Sequence, residues 1–278
     1  MQFEPASDLR DPVVLIAFSG WNDAGEAASD VMRLLLDAYP GSELEPVDDE
    51  TYFDFQATRP HIRREADGAW IEWPSIRFRR LAHPERDIIV VFGPEPNLKW
   101  RSFCRTLVER VTALRPTIVL ALGAMLSDIP HTRPLPTGLY AASEELKERF
   151  GFQRSTYTGP TGIVGVLSQA FAQHGLPTAS LWVSVPHYVA NPPNAKAQVH
   201  LLDKLEGALG ISIDRGDLGE QARAWESAVN DLAQSDPEIS QYIEALEAVR
   251  DKEVVEELSG DRIAAEFERY LRRHGGRS

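Results

Sequence analysis

The sequence predicts an α/β fold of three layers (α/β/α), in which helices cover both faces of a mainly parallel β-sheet. Four short apolar runs rich in β-branched residues predict buried strands at residues 13–18, 87–92, 117–122 and 178–185. Helical segments lie between the strands, and this alternation is typical of parallel sheets with helices on both faces.

The other elements follow from local signals. The first strand ends at Ser19 and Gly20, and residues 25–37 are predicted to form a helix with Asp23 as its cap. Further helices are predicted over residues 101–113 and 162–174, the latter ended by a glycine. Residues 51–55 and 69–73 alternate apolar and polar side chains, so we expect exposed or edge strands there.

Residues 215–278 are predicted to form an acidic helical appendage to an α/β/α domain at residues 1–214. Apolar residues in 3–4 spacing predict its first helix, at Leu218, Ala222, Trp225, Val229 and Leu232. The run Ser-Asp-Pro-Glu at 235–238 predicts a second helix start, and Asp261 is expected to cap a last helix. This segment carries about half of the net charge, which fits a solvated helix face or an acidic docking surface.

Composition excludes several classes of protein. The 278 residues include 29 basic and 42 acidic residues, and the net charge of −13 disfavours binding to nucleic acid or to an anionic membrane. A single cysteine, Cys104, rules out an internal disulfide, and we expect it to be a small buried hydrophobe. No apolar run is long enough to span a bilayer, and the first residues lack a signal peptide's apolar core, so we expect a cytoplasmic protein.

The sequence contains no complete catalytic or cofactor-binding motif. Gly20 and Gly25 have the spacing of a phosphate-binding loop, but Glu26 and Ala27 follow where lysine and a hydroxyl residue are needed. No two of the seven histidines stand four residues apart, and there is no G-x-S-x-G elbow. We therefore expect no cofactor and no metal, and the balance is against an enzyme.

Four polar loops follow the predicted strands, at residues 19–23, 93–97, 123–134 and 186–195. Parallel strands would gather these loops at the edge where open α/β sheets bind ligands. The glycine-rich turn at 159–165 opens a helix, and free N–H groups at a helix start can bind an anion. The candidate ligand-binding residues at this edge are Asn22, Asp23, Glu95, Asp128, His131, Arg133, Gly159, Gly162, His187 and Asn191.

Five stretches at these loops read FSGWNDAGEAAS, FGPEPNLKWRSF, LGAMLSDIPHTRP, TGPTGIVGVL and VSVPHYVANPPNAKA. Together they resemble the proteasome assembly chaperone 2 family, in its bacterial branch. The later stretch WESAVNDLAQSDPEISQYIEALE resembles the helical C-terminus of actinobacterial-type members. The resemblance implies a phosphorylase-like α/β/α fold and a homo-oligomer, with a trimer expected. Eukaryotic relatives help to assemble the proteasome α-ring and dock through a hydrophobic–Tyr–any tail, which residues 272–278 lack. The family resemblance implies no catalytic residue.

Three interpretations remain open. In the first, the chain is a non-enzymatic oligomeric assembly factor with proteasome subunits as possible partners. In the second, it is an enzyme or a binder of a nucleoside- or phosphate-type ligand. There Arg133 and the 159–165 turn hold an anion, and His131 or His187 moves a proton. In the third, the loops form only subunit contacts, with Trp21, Trp100 and Tyr188 as anchors.

Overall fold

The computed structural model describes residues 9–44, 47, 49–65, 68–141 and 143–257. Within these residues a seven-stranded sheet forms the centre of the fold. Its strands, in spatial order, are Gly41–Glu43 (β2), Arg77–Ala82 (β5), Asp87–Pro94 (β6), Val13–Ser19 (β1), Ile118–Ser127 (β7), Thr178–Pro186 (β9) and Thr137–Ala141 (β8). The four strands β6, β1, β7 and β9 are parallel, and β2, β5 and β8 run antiparallel to their neighbours.

Helices cover both faces of this sheet. They are Ala27–Ala38 (α1), Asp49–Tyr52 (α2), Trp100–Ala113 (α3), Glu144–Phe150 (α4), Ile163–Gln173 (α5), Ala195–Leu209 (α6), Leu218–Gln234 (α7) and Pro237–Glu257 (α8). Helices α1 and α6 pack on one face, and α3 and α5 pack on the other. The predicted three-layer fold is therefore confirmed.

The buried strand β1 divides its side chains between the two layers. Leu15 belongs to the core beneath α1 and α6, whereas Ile16 belongs to the core beneath α3 and α5. Both side chains are fully buried, and each such burial contributes roughly 1.5–3 kcal/mol. Successive side chains of a strand point to opposite faces, which is why a continuous apolar run forms a strand covered on both sides.

The prediction of a strand at residues 51–55 is wrong. The short helix α2 ends at Tyr52, and both Tyr52 and Phe53 are buried in the core beneath α3 and α5. The Tyr52 carbonyl accepts hydrogen bonds from the backbone N–H groups of Asn97 and Leu98, at 3.0 Å each. Successive side chains of a strand point to opposite faces, so burial of both aromatic side chains in one core needs a bend in the chain. The alternating sequence pattern did not indicate this bend.

The predicted loop at residues 123–134 is too long. Strand β7 continues to Ser127, where it still pairs with Pro186 of β9. Gly123 makes this pairing possible, because a Cβ at that position would lie 2.5 Å from the ring of Trp182. The loop after β7 therefore begins at Asp128.

A separate antiparallel hairpin joins His61–Glu65 (β3) to Gly68–Glu72 (β4). All ten strand residues are exposed, so the expectation of an exposed strand at residues 69–73 is confirmed for β4. Ile62 and Ile71 are cross-strand partners on one face, and His61 and Glu72 are partners on the other.

The C-terminal segment forms α7 and α8, and α8 begins at Pro237 within the predicted restart signal. The Asp236 side chain caps α8 by accepting a hydrogen bond from the Glu238 N–H at 2.9 Å. The expected last helix with Asp261 at its cap lies outside the described residues. Over the described ranges, no helix is both long enough and apolar enough to cross a membrane.

Candidate functional site

Loops from the parallel strands meet at one edge of the sheet, as the sequence predicts. Ser19 at the end of β1 is the register partner of Pro94 at the end of β6. The loop after β1 also contacts β7, because Asp23 forms a bridge with Ala124. Eight of the ten candidate residues contribute to five local arrangements at this edge.

The first arrangement is built around Glu95, which follows β6. One carboxylate oxygen, Oε1, accepts hydrogen bonds from the Asn22 side chain (3.1 Å) and from the Ile163 N–H (2.8 Å). Gly162 lets Asn22 approach, because a Cβ there would lie 2.1 Å from Asn22 Nδ2. The first turn of α5, predicted as an anion site, therefore receives a carboxylate of the chain itself.

Asp23 caps helix α1 from a distance. Its Oδ1 accepts hydrogen bonds from the backbone N–H groups of Ala28 (2.8 Å) and Ser29 (3.2 Å). A 3-10 turn at Ala24–Glu26 separates the aspartate from the helix. Burial raises the pKa of Asp23 above its usual value, against the lowering effect of these hydrogen bonds.

His131 is 1% exposed and connects the loop after β7 to α7. The Tyr188 hydroxyl accepts a hydrogen bond from the His131 backbone N–H at 2.7 Å and lies 2.8 Å from the ring Nδ1. Asn230 Oδ1, which lies 3.0 Å from Nε2, can only accept a hydrogen bond, so Nε2 carries the ring proton, and in the neutral ring Nδ1 accepts from the Tyr188 hydroxyl. Burial lowers the pKa of His131, so the neutral ring is favoured.

Lys196 strengthens the same junction. Its Nζ donates to the His131 carbonyl at 2.6 Å and pairs with Glu226 Oε2 at 3.0 Å. Lys196, Glu226 and Asn230 are not among the residues predicted from the sequence. Glu226 and Asn230 stand four residues apart on one side of α7, and this spacing was the available signal.

Arg133 connects the same loop to α8. Its guanidinium binds both carboxylate oxygens of Asp251, at 2.7 and 2.8 Å, and also lies 3.1 Å from Glu247 Oε1. Thr132 hydrogen-bonds with the same Glu247 carboxylate. The hydrogen bond from Arg133 lowers the pKa of Asp251 below its usual value. Arg133 is therefore already paired with two carboxylates of its own chain.

The most exposed arrangement contains Asp128 and His187. Their Oδ1 and Nδ1 atoms lie 3.0 Å apart, and the Tyr242 hydroxyl of α8 donates to the same carboxylate oxygen at 3.5 Å. The His187 and Tyr242 rings meet edge to face, with centroids 5.7 Å apart. Gly159 and Asn191 are exposed, and within the described chain neither residue forms a hydrogen bond with another candidate residue.

The polar side chains at this edge are mostly paired with other groups of the same chain, so they anchor neighbouring elements. Both ring nitrogens of His131 have partners, and the Arg133 charge faces two carboxylates. Among the described residues, no group of three or more His, Cys, Asp or Glu is placed to hold a metal ion. Cys104 is buried in α3, where burial raises the pKa of its thiol to about 11.

Solved structures similar to this chain share its fold. A PAC2 family protein of Streptomyces avermitilis is 40% identical, with a TM-score of 0.77 over 84% of this chain and 99% of that one. A proteasome-assembly chaperone homologue of Mycobacterium tuberculosis is also 40% identical, with a TM-score of 0.75 over 83% and 99%. PbaB of Pyrococcus furiosus, described as an archaeal proteasome activator, is 15% identical with a TM-score of 0.66 over 83% and 97%, and so shows only the fold.

A comparison at the level of families agrees with the structural neighbours. The sequence model of the PAC2 family matches residues 17–233. No functionally curated protein matches the chain at a significant level. The matched range runs from within β1 almost to the end of α7, and so includes every candidate residue. The chain belongs to the PAC2 family.

Proposed function

We infer that this protein is a non-enzymatic, homo-oligomeric factor that assists proteasome assembly. The observation that carries this inference is the use of the loop-edge residues as anchors for α7 and α8. His131 and Lys196 hold α7, and Arg133 holds α8, so these side chains position a pair of helices. The homologue of Mycobacterium tuberculosis, described as a proteasome-assembly chaperone homologue, supports proteasome subunits as the partner.

The two anchored helices present an acidic surface. Asp231, Glu238 and Glu244 are exposed and have no ion-pair partner within the described chain. Leu232 and Val249, each 59% exposed, add apolar area to the same pair of helices. A surface that combines unpaired carboxylates with exposed apolar side chains suits a basic protein partner.

The outer face of the hairpin supports self-association. Ile62 and Ile71 are directly opposed across the strands, and they are 66% and 50% exposed. A hairpin of two strands buries little apolar surface by itself, and contact between copies would cover this pair. We propose that the assembly is a trimer, on the basis of the family resemblance.

We also propose that the protein is cytoplasmic, because a single buried cysteine suits a reducing compartment.

The direct test mixes the protein with separately purified proteasome α and β subunits from the same organism. We expect the protein to form a complex with α subunits and to accelerate the appearance of full particles, followed by native mass spectrometry. Reversal of charge in Asp231→Lys, Glu238→Lys and Glu244→Lys together should remove the acceleration, because it removes the acidic surface.

The matched control reverses three exposed acids that lie outside α7 and α8, Glu85→Lys, Glu109→Lys and Glu145→Lys. It makes the same change in net charge and should leave the acceleration intact. Equal loss in both triple variants would mean that only overall charge matters. No complex and no acceleration with the unmodified protein would contradict the proposed function.

A further inference from the structure

A cavity of about 560 Å³ lies between the hairpin, helix α1 and the sheet. The ends of β1 and β6 form part of its wall, through Ser19, Gly93 and Pro94. It therefore opens at the carboxyl edge of parallel strands, where open α/β sheets bind ligands. Its volume falls in the range of small-molecule sites. None of the ten candidate residues lines it.

Arginine dominates the charge of this cavity. Its lining carries two carboxylates, Asp37 and Glu72, against five guanidinium groups, those of Arg33, Arg59, Arg63, Arg77 and Arg79. The whole chain has the opposite balance, with a net charge of −13. A concave region that concentrates cations on an acidic protein attracts anions locally.

Two of these arginines are available to a ligand. Arg63 pairs with Glu72 at 2.5 Å, Arg33 pairs with Glu26 and Asp30, and Arg79 lies 3.5 Å from Glu43. Within the described part of the chain, the exposed guanidinium groups of Arg59 and Arg77 have neither a hydrogen-bond nor an ion-pair partner. Each offers a planar fork of N–H donors that matches a phosphate or a carboxylate.

The cavity also offers an aromatic surface. Trp73 lines it while 50% exposed, and the ring is supported by Phe55, with centroids 4.8 Å apart. We propose that this cavity is a binding site for a small molecule that carries two or more phosphate or carboxylate groups. Arg59 and Arg77 are the principal residues that bind these groups. This site is independent of the anchoring residues beneath α7 and α8.

Binding here is compatible with self-association through the hairpin. The cavity face of the hairpin carries His61, Arg63 and Glu72, whereas Ile62 and Ile71 lie on the opposite face. A ligand and a second copy of the chain would therefore contact different faces of the same two strands.

Isothermal titration of the full-length protein in 0.15 M salt tests the proposal. The probes are pyrophosphate and tripolyphosphate for the phosphate class, and citrate for the carboxylate class. We expect saturable binding of at least one probe, and the stronger class identifies the ligand chemistry. Arg59→Gln with Arg77→Gln should weaken that binding at least ~10-fold, because each variant removes a charged hydrogen-bond donor.

The control pair is Arg101→Gln with Arg105→Gln on α3. These side chains are exposed and equally without partners in the described residues, and the change in net charge is identical. The control should keep the original affinity. The proposal is overturned if none of the three probes binds at ~10 mM, or if both pairs weaken binding equally, since equal weakening indicates nonspecific attraction of anions.

Discussion

At the scale of single residues, the polar side chains at the loop edge are of types that often act in catalysis, but here they hold helices in place. His131 has a neutral ring whose two nitrogens are committed to Tyr188 and Asn230. Asp23 has a carboxylate whose Oδ1 accepts two N–H groups at the start of α1. The two ring nitrogens of His131 and the Oδ1 atom of Asp23 thus have the specific partners that buried polar atoms require.

His131 makes the stability of the protein depend on pH. Its pKa is lowered in the folded chain, so the unfolded chain binds the proton first as pH falls below about 6.5. The free energy of unfolding should therefore decrease between pH 7.5 and 5.5, measured from urea unfolding. His200, whose pKa burial also lowers, contributes in the same direction.

The variant His131→Gln isolates the first contribution. It should be less stable than the unmodified protein at pH 7.5 and should lose less stability on acidification. The control His174→Gln changes an exposed histidine and should keep the full pH dependence. An undiminished pH dependence in His131→Gln would show that this ring does not titrate as described.

Asp23 gives a second prediction at this scale. Asp23→Ala leaves the Ala28 and Ser29 N–H groups without their acceptor and should cost about 1 kcal/mol of unfolding free energy. Asp23→Asn keeps an acceptor oxygen and removes a charge that burial disfavours, so it should cost less. Chemical denaturation of both variants measures the difference, and an equal cost would contradict the capping role.

At the scale of elements, the buried parallel strands were the most predictable part of the fold. Continuous apolar runs identified β1, β6, β7 and β9, because both faces of these strands are covered. Strands β2, β5 and β8, which pair antiparallel to their neighbours, and helices α4 and α6 were not predicted. Asn194, whose side chain caps α6 at the Ala197 N–H (2.9 Å), was the overlooked signal for that helix.

The docking of α8 gives a prediction at the same scale. Arg133→Met removes the contacts with Glu247 and Asp251, so the backbone amides of α8 should exchange hydrogen faster. Hydrogen exchange followed by mass spectrometry measures this helix separately from the sheet, whose protection should not change. Arg101→Met, at an arginine without partners in the described chain, is the control. Unchanged exchange in α8 would rule out Arg133 as its anchor.

At the scale of the whole molecule, the fold was easier to predict than the use of its edge. The candidate residues came from loops that the sheet brings together, and the structure does bring most of them to one edge. Their partners Asn230, Glu247 and Asp251 lie about a hundred positions further along the chain, on α7 and α8. No local pattern reports such contacts. The domain boundary at residue 215 and the similarity of the fold to that of phosphorylases remain predictions.

Self-association through the hairpin is the prediction at this scale. Ile62→Thr with Ile71→Thr removes apolar surface from the outer face while keeping β-branched side chains. Light scattering coupled to size-exclusion chromatography should show a smaller assembly for this pair than for the unmodified protein. Thr137→Val, on the separate strand β8, is a control that should leave the assembly intact. An unchanged mass in the hairpin pair would place the contact elsewhere.

Native mass spectrometry of the protein, purified gently from its own organism, tests the proposed function most directly. Each chain has a mass of 31.0 kDa, so the spectrum gives both the number of copies and any bound subunit. We expect a trimer, of which a fraction carries proteasome subunits. A monomer or a bare oligomer, in cells that are actively assembling proteasomes, would contradict the proposed function.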